Sequence, residues 1–209
     1  MMNWKYILLA LILFPLVGMV SSCSEGSDDE DEFANWQVRN DAKTQEWANN
    51  SALKKYQTYT IDGTSSKPSD YIYVEVLESG DPDSPKPFFT DTCRVAYRGR
   101  LIPTDSYPEG YVFDQSYTGD FNWQTAYVKT KAISEVVAGF STALTKMRVG
   151  DRWRVHIPYM LGYGKSDYTP TGSSTTILGC SNLTFEIALF DFWHPGERRP
   201  TFKARSEEE

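Results

Sequence analysis

Histidine and cysteine are scarce in this chain, with two His and three Cys among 209 residues. His156 and His194 stand far apart, and the Cys residues are not placed beside them at the spacing of a metal site. The sequence also lacks a glycine-rich phosphate loop before a helix and a G-x-S-x-G nucleophile motif. We therefore expect no metal and no cofactor, and the pattern does not favour a phosphate-binding or serine-hydrolase function.

Positive charge is also in short supply, since 21 Lys and Arg face 28 Asp and Glu, for a formal net charge of −7. No basic cluster offers the grouped Lys and Arg that phosphate contacts require, which excludes nucleic acid as a partner. Aromatic residues are abundant, with 13 Tyr, 11 Phe and 6 Trp. Such a composition favours β-structure and aromatic-lined surfaces.

The N-terminus has the pattern of a targeting segment. Lys5 precedes an apolar run over residues 6–20, which is short for a membrane span and fits a signal peptide. The run ends in Val20-Ser21-Ser22-Cys23, which resembles a bacterial lipobox. We expect residues 1–22 to be a lipoprotein signal peptide and lipid on Cys23 to hold the protein on a membrane. The alternative is an ordinary secretory signal followed by an unrelated Cys.

Residues 23–32 are predicted to be an acidic tether, because Ser-Glu-Gly-Ser-Asp-Asp-Glu-Asp-Glu follows Cys23. The segment resembles the acidic tag that directs Bacteroidetes lipoproteins to the cell surface, although a plain solubilising spacer has the same composition. The expected location is lipid-anchored in the bacterial cell envelope, at the outer membrane and its surface. An exported compartment permits a disulfide, so Cys93 and Cys180 are either paired or free.

A helical extension and linker are predicted over residues 33–68. Apolar residues recur at a helical period within 33–58, and residues 62–70 have turn composition. The apolar stripe is thin, so this helix is expected to pack on the domain that follows. Its apolar positions are Phe33, Trp36, Trp47 and Leu53.

One α+β domain is predicted over residues 69–194, followed by a polar tail over 195–209. A helix over 134–147 is expected to start at the N-cap Ser134 and to stop at Gly150. The remaining elements are strands with alternating or β-rich patterns, which predict an antiparallel sheet that buries one face against this helix. The predicted strands are residues 71–78, 93–101, 111–113, 152–157 and 183–192.

Six motifs, in order across residues 71–193, resemble the FKBP family of peptidyl-prolyl cis-trans isomerases. Each motif is weak alone, and their common order carries the resemblance. They are Val95-Ala96-Tyr97-Arg98-Gly99, Phe113-Asp114-Gln115-Ser116, Val136-Val137-x-Gly139-Phe140, Leu144-x-x-Met147-Arg148-Val149-Gly150, Ile157-Pro158 followed by Tyr163-Gly164, and Leu183-Thr184-Phe185-Glu186-Ile187-Ala188-Leu189.

The resemblance implies a half-wrapped, five-strand antiparallel sheet around one short α-helix, with an apolar pocket between them. It implies catalytic roles for Tyr97, Asp114, Val137 and Tyr163. It implies substrate-binding roles for Phe113, Val136, Phe140 and Phe185. An aliphatic wall is expected at Ile177, and a further aromatic between the F-D motif and the helix at Phe121 or Tyr127. Proline-containing polypeptides and macrolide inhibitors are the implied ligands.

The function that this resemblance predicts is isomerisation of X-Pro bonds during the folding of exported proteins. An aromatic pocket suits this reaction, because the twisted amide is less polar than the planar one. Two alternatives remain open: a non-catalytic FKBP-fold chaperone or partner-binding surface lipoprotein, and a glycan-binding surface protein. The pocket residues are also of the types that form an ordinary core.

Overall fold

A computed structural model describes residues 32–170, 174–199 and 201 of the chain. Seven strands form one antiparallel sheet in the order β1-β2-β6-β7-β3-β4, and β5 pairs with β3 beside β4. The strands are β1 (Lys54–Gln57), β2 (Tyr71–Glu78), β3 (Thr92–Arg100), β4 (Val112–Gln115), β5 (Lys129–Ala132), β6 (Arg152–Ile157) and β7 (Leu183–Trp193). The helices are α1 (Trp36–Asn49) and α2 (Ala138–Leu144), with 3₁₀ turns at Pro68–Asp70, Ile133–Glu135 and Tyr159–Leu161.

Strand β3 is the axis around which the candidate site is built. One of its edges pairs with β7 over its whole length. On the other edge, its first half pairs with β5 and its second half with β4. The register places Lys129 opposite Val95 and Asp114 opposite Gly99, so these two charged residues lie on either side of Tyr97 along the strand.

The inner face of the sheet packs on α2. Alternate residues of the strands are buried there, as the sequence alternation predicts, among them Val155, Ile157 and Ile187 with no exposed surface. Helix α2 approaches β6 closely at Gly139. A Cβ atom on that residue would lie 2.3 Å from Ile157 Cγ2, so only glycine fits at this contact.

The outer face of the sheet is covered at two places. At one, Trp47 of α1 stacks on His156 with ring centroids 4.8 Å apart. At the other, the segment 117–126 packs its aromatic rings over Ala96 and Ala188. The outer face therefore carries apolar residues where these two segments cover it. A sheet face open to solvent would carry polar residues there.

Polar side chains hold α1 on the domain. Asn40 has no exposed surface, and its Oδ1 accepts a hydrogen bond of 2.7 Å from the Asn182 N–H. Asn182 Nδ2 donates to the Asn40 carbonyl (2.6 Å) and to Thr44 Oγ1 (3.0 Å). Trp36 Nε1 donates to Ser181 Oγ at 2.8 Å. The predicted packing of this helix on the domain is present, with amides as its central contacts.

Two predictions about the helices need correction. The segment 33–58 is helical only over Trp36–Asn49, and Lys54–Gln57 forms β1 instead. The helix predicted over 134–147 begins as a 3₁₀ turn at Ile133–Glu135 and is α-helical only over Ala138–Leu144. Ser134 is not its N-cap, because Val137 occupies that position with extended backbone. The sheet also has seven strands where five were expected.

Other sequence predictions concern the cysteines and the two ends of the chain. Cys93 and Cys180 are free thiols and both are buried. The predicted signal peptide, Cys23 and most of the acidic tether lie outside the described residues, as does most of the polar tail. Within the residues that are described, no helix has the length and apolar character to cross a membrane.

Candidate active site

A cavity of about 630 Å³ lies between α2, the inner face of the sheet and the loop that follows β6. Five stretches of chain contribute its walls, so the cavity depends on the tertiary fold. Its lining residues are Tyr97, Phe113, Asp114, Lys131, Glu135, Val136, Val137, Phe140, Tyr163, Tyr168, Pro170 and Phe185.

Aromatic rings form the floor of the cavity. Phe185 contacts Phe140 and Phe113 edge to face, with ring centroids 5.1 and 5.4 Å apart. Tyr97 meets the Phe140 ring at 5.8 Å. Edge-to-face pairs of this kind favour one fixed arrangement of the rings. The floor is therefore an apolar surface of defined shape.

Gly99 makes this arrangement of rings possible. A Cβ atom there would lie 2.5 Å from Phe185 Cε1 and 2.7 Å from Phe113 Cζ. Both rings therefore occupy the space that a side chain at position 99 would fill. The glycine of the V-x-Y-x-G motif is thus explained by close approach.

Tyr97 and Asp114 form a polar edge on this apolar floor. The Tyr97 hydroxyl donates to Asp114 Oδ2 at 2.7 Å. Lys129 Nζ donates to the Tyr97 hydroxyl oxygen at 3.1 Å and lies 3.4 Å from Asp114 Oδ1. Burial and then the bond to Asp114 raise the pKa of Tyr97, so the phenol stays protonated at neutral pH. The carboxylate, the phenol and the ammonium therefore hold one another in place.

Ser116 fixes Tyr97 from the backbone side. Its hydroxyl accepts a 2.9 Å hydrogen bond from the Tyr97 N–H, and its own N–H donates to the Tyr97 carbonyl at 2.8 Å. This explains the Ser at the end of the F-D-x-S motif. Gln115 accepts a hydrogen bond from Arg98 instead of facing the cavity, with Oε1 3.1 Å from Arg98 Nε.

Val136 and Val137 form the wall where the chain enters α2. Val137 precedes the first helical residue, so its N–H has no partner within the helix ladder. The fully buried Ser141 ties this segment to the helix. Its hydroxyl donates to the Ile133 carbonyl at 2.6 Å and lies 3.2 Å from the Val136 carbonyl.

The opposite wall comes from the loop after β6. Tyr163 and Tyr168 stack with ring centroids 4.1 Å apart. Burial is the main reason that the pKa of Tyr163 rises to about 12, so this phenol also keeps its proton at neutral pH. Tyr168 is held by two hydrogen bonds of 2.8 Å between its backbone and that of Ile177.

Eight of the predicted site residues come together at this cavity. They are Tyr97, Phe113, Asp114, Val136, Val137, Phe140, Tyr163 and Phe185. Their geometry is consistent with a pocket, and the roles assigned to them remain predictions.

Three other predicted site residues do not line the cavity. Phe121 lies on the outer face, where its ring meets Tyr117 at 5.4 Å and Trp123 at 5.0 Å. Tyr127 is 68% exposed and is absent from the cavity wall. Ile177 is buried behind Tyr168, which it supports through the backbone. The spacing between the F-D motif and the helix misled the prediction, because the segment after β4 crosses to the outer face.

Sequence reasoning missed five residues at or beside the cavity. Lys131, Glu135, Tyr168 and Pro170 line it, and Lys129 contacts Asp114 and Tyr97. Strand β5 reads Lys-Thr-Lys-Ala, so it carries no apolar alternation that could reveal a strand. Its signal was the repeat of Lys at positions 129 and 131, which places both side chains on one face.

A family model for FKBP-type peptidyl-prolyl cis-trans isomerase matches residues 84–190, slightly more than half of the chain. The chain belongs to the FKBP family. Residues 84–190 include β3 to β6, α2 and most of β7, and therefore the whole described cavity wall. They do not include α1, β1 or β2, which precede that range.

Two curated relatives show how far the likeness extends. One is a macrophage infectivity potentiator of Trypanosoma cruzi, 33% identical over 132 residues, or 63% of this chain and 58% of that protein. The other is the peptidyl-prolyl cis-trans isomerase Mip of Coxiella burnetii, 34% identical over 94 residues, or 45% of this chain and 35% of that protein. The match thus spans between about a third and three fifths of these relatives.

Solved FKBP structures share the fold. A peptidyl-prolyl cis-trans isomerase of Pseudomonas syringae matches with a TM-score of 0.53 and 23% identity, over 77% of this chain and 95% of that one. FkpA of Escherichia coli matches with a TM-score of 0.53 and 24% identity, over 78% of this chain and 62% of that one. The expected FKBP-like fold with an N-terminal helix is therefore confirmed.

Proposed function

We propose that this chain is a peptidyl-prolyl cis-trans isomerase that acts on X-Pro bonds in its aromatic cavity. The convergence of Tyr97, Phe113, Phe140 and Phe185 on one open cavity carries the proposal. Proline is the apolar ring that such a floor accommodates, and the four aromatic residues enclose a space of suitable shape. Membership of the FKBP family supports the same activity.

The reaction needs stabilisation of a twisted amide. Rotation about a peptide bond has a barrier of about 18–20 kcal/mol, because the twisted state loses resonance. The planar amide carries separated charge that water stabilises, so an apolar site raises the energy of the planar form relative to the twisted form. The aromatic floor supplies that environment, with Phe140 and Phe185 each 4% exposed. A site complementary to the twisted state accelerates rotation in both directions.

Polar groups at the cavity edge orient the substrate. The Val137 N–H is available to donate to a substrate carbonyl, since the helix does not use it. Asp114 faces the same space, and its position is set by Tyr97 and Lys129. No proton transfer is required. The raised pKa of Tyr97 accords with this, because the phenol keeps its proton.

An NMR exchange assay on an Ala-Leu-Pro-Phe peptide tests this proposal. Phe113→Ala should lower kcat/KM at least tenfold, because Phe113 is part of the cavity floor. Phe121→Ala is the matched control, a half-buried Phe on the outer face, and should leave kcat/KM within twofold. Folded wild-type protein with no rate above background would refute the proposal. Peptide binding without turnover would instead support a non-catalytic chaperone.

A role in folding exported proteins at the bacterial cell envelope is a further part of this proposal. It is supported by the lipobox-like Val20-Ser21-Ser22-Cys23 and the acidic residues that follow. Labelled palmitate should be incorporated into the wild-type protein and not into Cys23→Ser. Surface digestion of intact cells with protease then distinguishes the outer surface from the periplasmic side. Incorporation that persists in Cys23→Ser would contradict the anchor.

A macrolide that competes for the same cavity is expected to inhibit the enzyme. Its ring would occupy the floor where proline binds, so calorimetry should show heat with wild type and a weaker signal with Phe113→Ala. No heat and no competition with the peptide would count against this ligand class.

A further inference from the structure

We propose that Lys131 makes this site prefer proline peptides that carry an acidic residue beside the proline. The inference rests on the proposed function and names the substrate class of the same cavity. The cavity wall formed by the segment between the F-D motif and α2 differs from the expected one. An aromatic residue was expected there, and the structure places a lysine in that wall instead.

The pairing register fixes the direction of the Lys131 side chain. Lys131 lies opposite Cys93, and Lys129 lies opposite Val95, in the β3–β5 pair. Residues directly opposite in an antiparallel pair share one face of the sheet. Cys93 and Val95 have no exposed surface and face the core, so both lysines extend along the inner side of the sheet edge.

Both lysines lie over the Tyr97 ring, but in the ranges that the structure describes only Lys129 has an ion-pair partner. Lys129 is engaged by the Asp114 carboxylate at 3.4 Å, and this pair compensates both charges. Lys131 lies over the Tyr97 ring, with Nζ 5.7 Å from the centroid. Within the described part of the chain, no carboxylate forms an ion pair with Lys131. Its ammonium is therefore the positive charge on the cavity wall that a ligand can still pair with.

Glu135 is the other charged residue on the wall without an ion-pair partner among the described residues, and it is exposed. It is the last residue of the 3₁₀ turn that connects β5 to Val136, whereas Lys131 precedes that turn. A bound peptide therefore meets positive charge beside Tyr97 and negative charge beside Val136. An acidic side chain is attracted to the Lys131 side and repelled from the Glu135 side, which gives a preference as well as an orientation.

The size of the expected preference for an acidic peptide follows from the partial exposure of Lys131 to solvent. Ion pairs at partly exposed positions change binding by a factor of about two to five, and salt screens them. The preference should therefore be modest at low ionic strength and should diminish in about 0.5 M NaCl.

The test measures kcat/KM of the full chain for Ala-Glu-Pro-Phe and Ala-Leu-Pro-Phe by NMR exchange, and takes the Glu/Leu ratio. Lys131→Met should lower this ratio about two- to fivefold. Lys131→Glu should lower the Glu/Leu ratio further. The same variant should raise the ratio of kcat/KM for Ala-Lys-Pro-Phe to that for Ala-Leu-Pro-Phe. Glu135→Gln should raise the Glu/Leu ratio. Lys54→Met, an exposed lysine at the opposite edge of the sheet, is the control and should leave the ratio unchanged.

An unchanged Glu/Leu ratio in both Lys131→Met and Lys131→Glu would overturn the inference. Failure of the proposed function has a different signature, since wild type would then turn over neither peptide. In that case calorimetry with the same peptides decides the inference, because a charge preference in binding does not depend on turnover. Equal binding of the Glu and Leu peptides to wild type would refute it.

Discussion

The two helices of this protein pack on opposite faces of one sheet and do so by different physical means. Helix α2 lies against the inner face through apolar contacts so close that Gly139 has no room for a Cβ. Helix α1 buries Trp36 and Trp47, but it is also docked by the buried amides of Asn40 and Asn182, for which α2 has no counterpart among the described contacts. Apolar packing is tolerant of sequence but sensitive to volume, whereas a buried amide pair is sensitive to the loss of either partner. The difference predicts how each helix responds to substitution and to pH.

Gly139→Ala should have the largest effect, because its Cβ would lie 2.3 Å from Ile157 Cγ2. We expect a loss of roughly 3 kcal/mol in the free energy of unfolding and lower isomerase activity, since α2 carries Phe140. Urea denaturation measures the loss. Ile157→Ala should cost less in the Gly139→Ala background than in wild type, and equal costs in the two backgrounds would show that the clash is not there.

Acidification should weaken the α1 side of the sheet through His156. Burial, followed by Arg154 and Lys43, lowers the pKa of His156 to about 4 from its ordinary value near 6.5. The unfolded chain takes up a proton below pH 6.5 and the folded chain does not, so stability falls between about pH 6.5 and pH 4. The loss should reach up to about 3 kcal/mol. His156→Phe keeps a ring against Trp47 and should flatten this dependence; an unchanged slope would contradict it.

Asn40→Ala should cost about 1–3 kcal/mol, because it leaves the buried Asn182 N–H without an acceptor. Asn49→Ala, on the exposed end of the same helix, is the matched control and should cost nothing, since alanine favours helix. Urea denaturation measures both variants. The docking model fails if both asparagines behave alike.

The smallest effect is expected at His194, whose Nδ1 lies 2.8 Å from Asp91 Oδ1. The hydrogen bond to Asp91 raises the pKa of His194, so its contribution is fully present below pH 6.5 and is lost as the pH rises through the raised pKa. His194→Gln should therefore be less stable than wild type at pH 5.5 and equal to it at pH 9. A deficit that is the same at both values would contradict this.

The aromatic floor of the cavity could be predicted from sequence because its residues belong to motifs that have a geometric reason. Gly99 and Gly139 stand where rings or a helix approach too closely for a Cβ, and Ser116 bonds to the backbone of Tyr97. Strand alternation placed Phe185 on the core side. These constraints are local in sequence, so short patterns carry them, and eight of the predicted residues lie on the cavity.

The rest could not be predicted because it depends on contacts between distant polar residues. Nothing near Asn40 indicates that Asn182, 142 positions away, will bond to it. Strand β5 has no apolar alternation. The sequence therefore does not indicate that Lys129 lies beside Asp114 or that Lys131 lines the cavity. Phe121 illustrates the converse error, since an aromatic at a suitable spacing lies on the other face of the sheet.

The position of α1 also determines how the domain responds to mechanical force. Glu32 precedes α1, and its carboxylate accepts a hydrogen bond from Ser106; α1 then leads to the amide contacts at Asn182. Tension applied at residue 32 would load these short polar contacts first, because they lie between the point of pulling and the sheet. Helix α1 would detach as a unit before any strand separates, and the aromatic cavity on the opposite face would keep its shape under load.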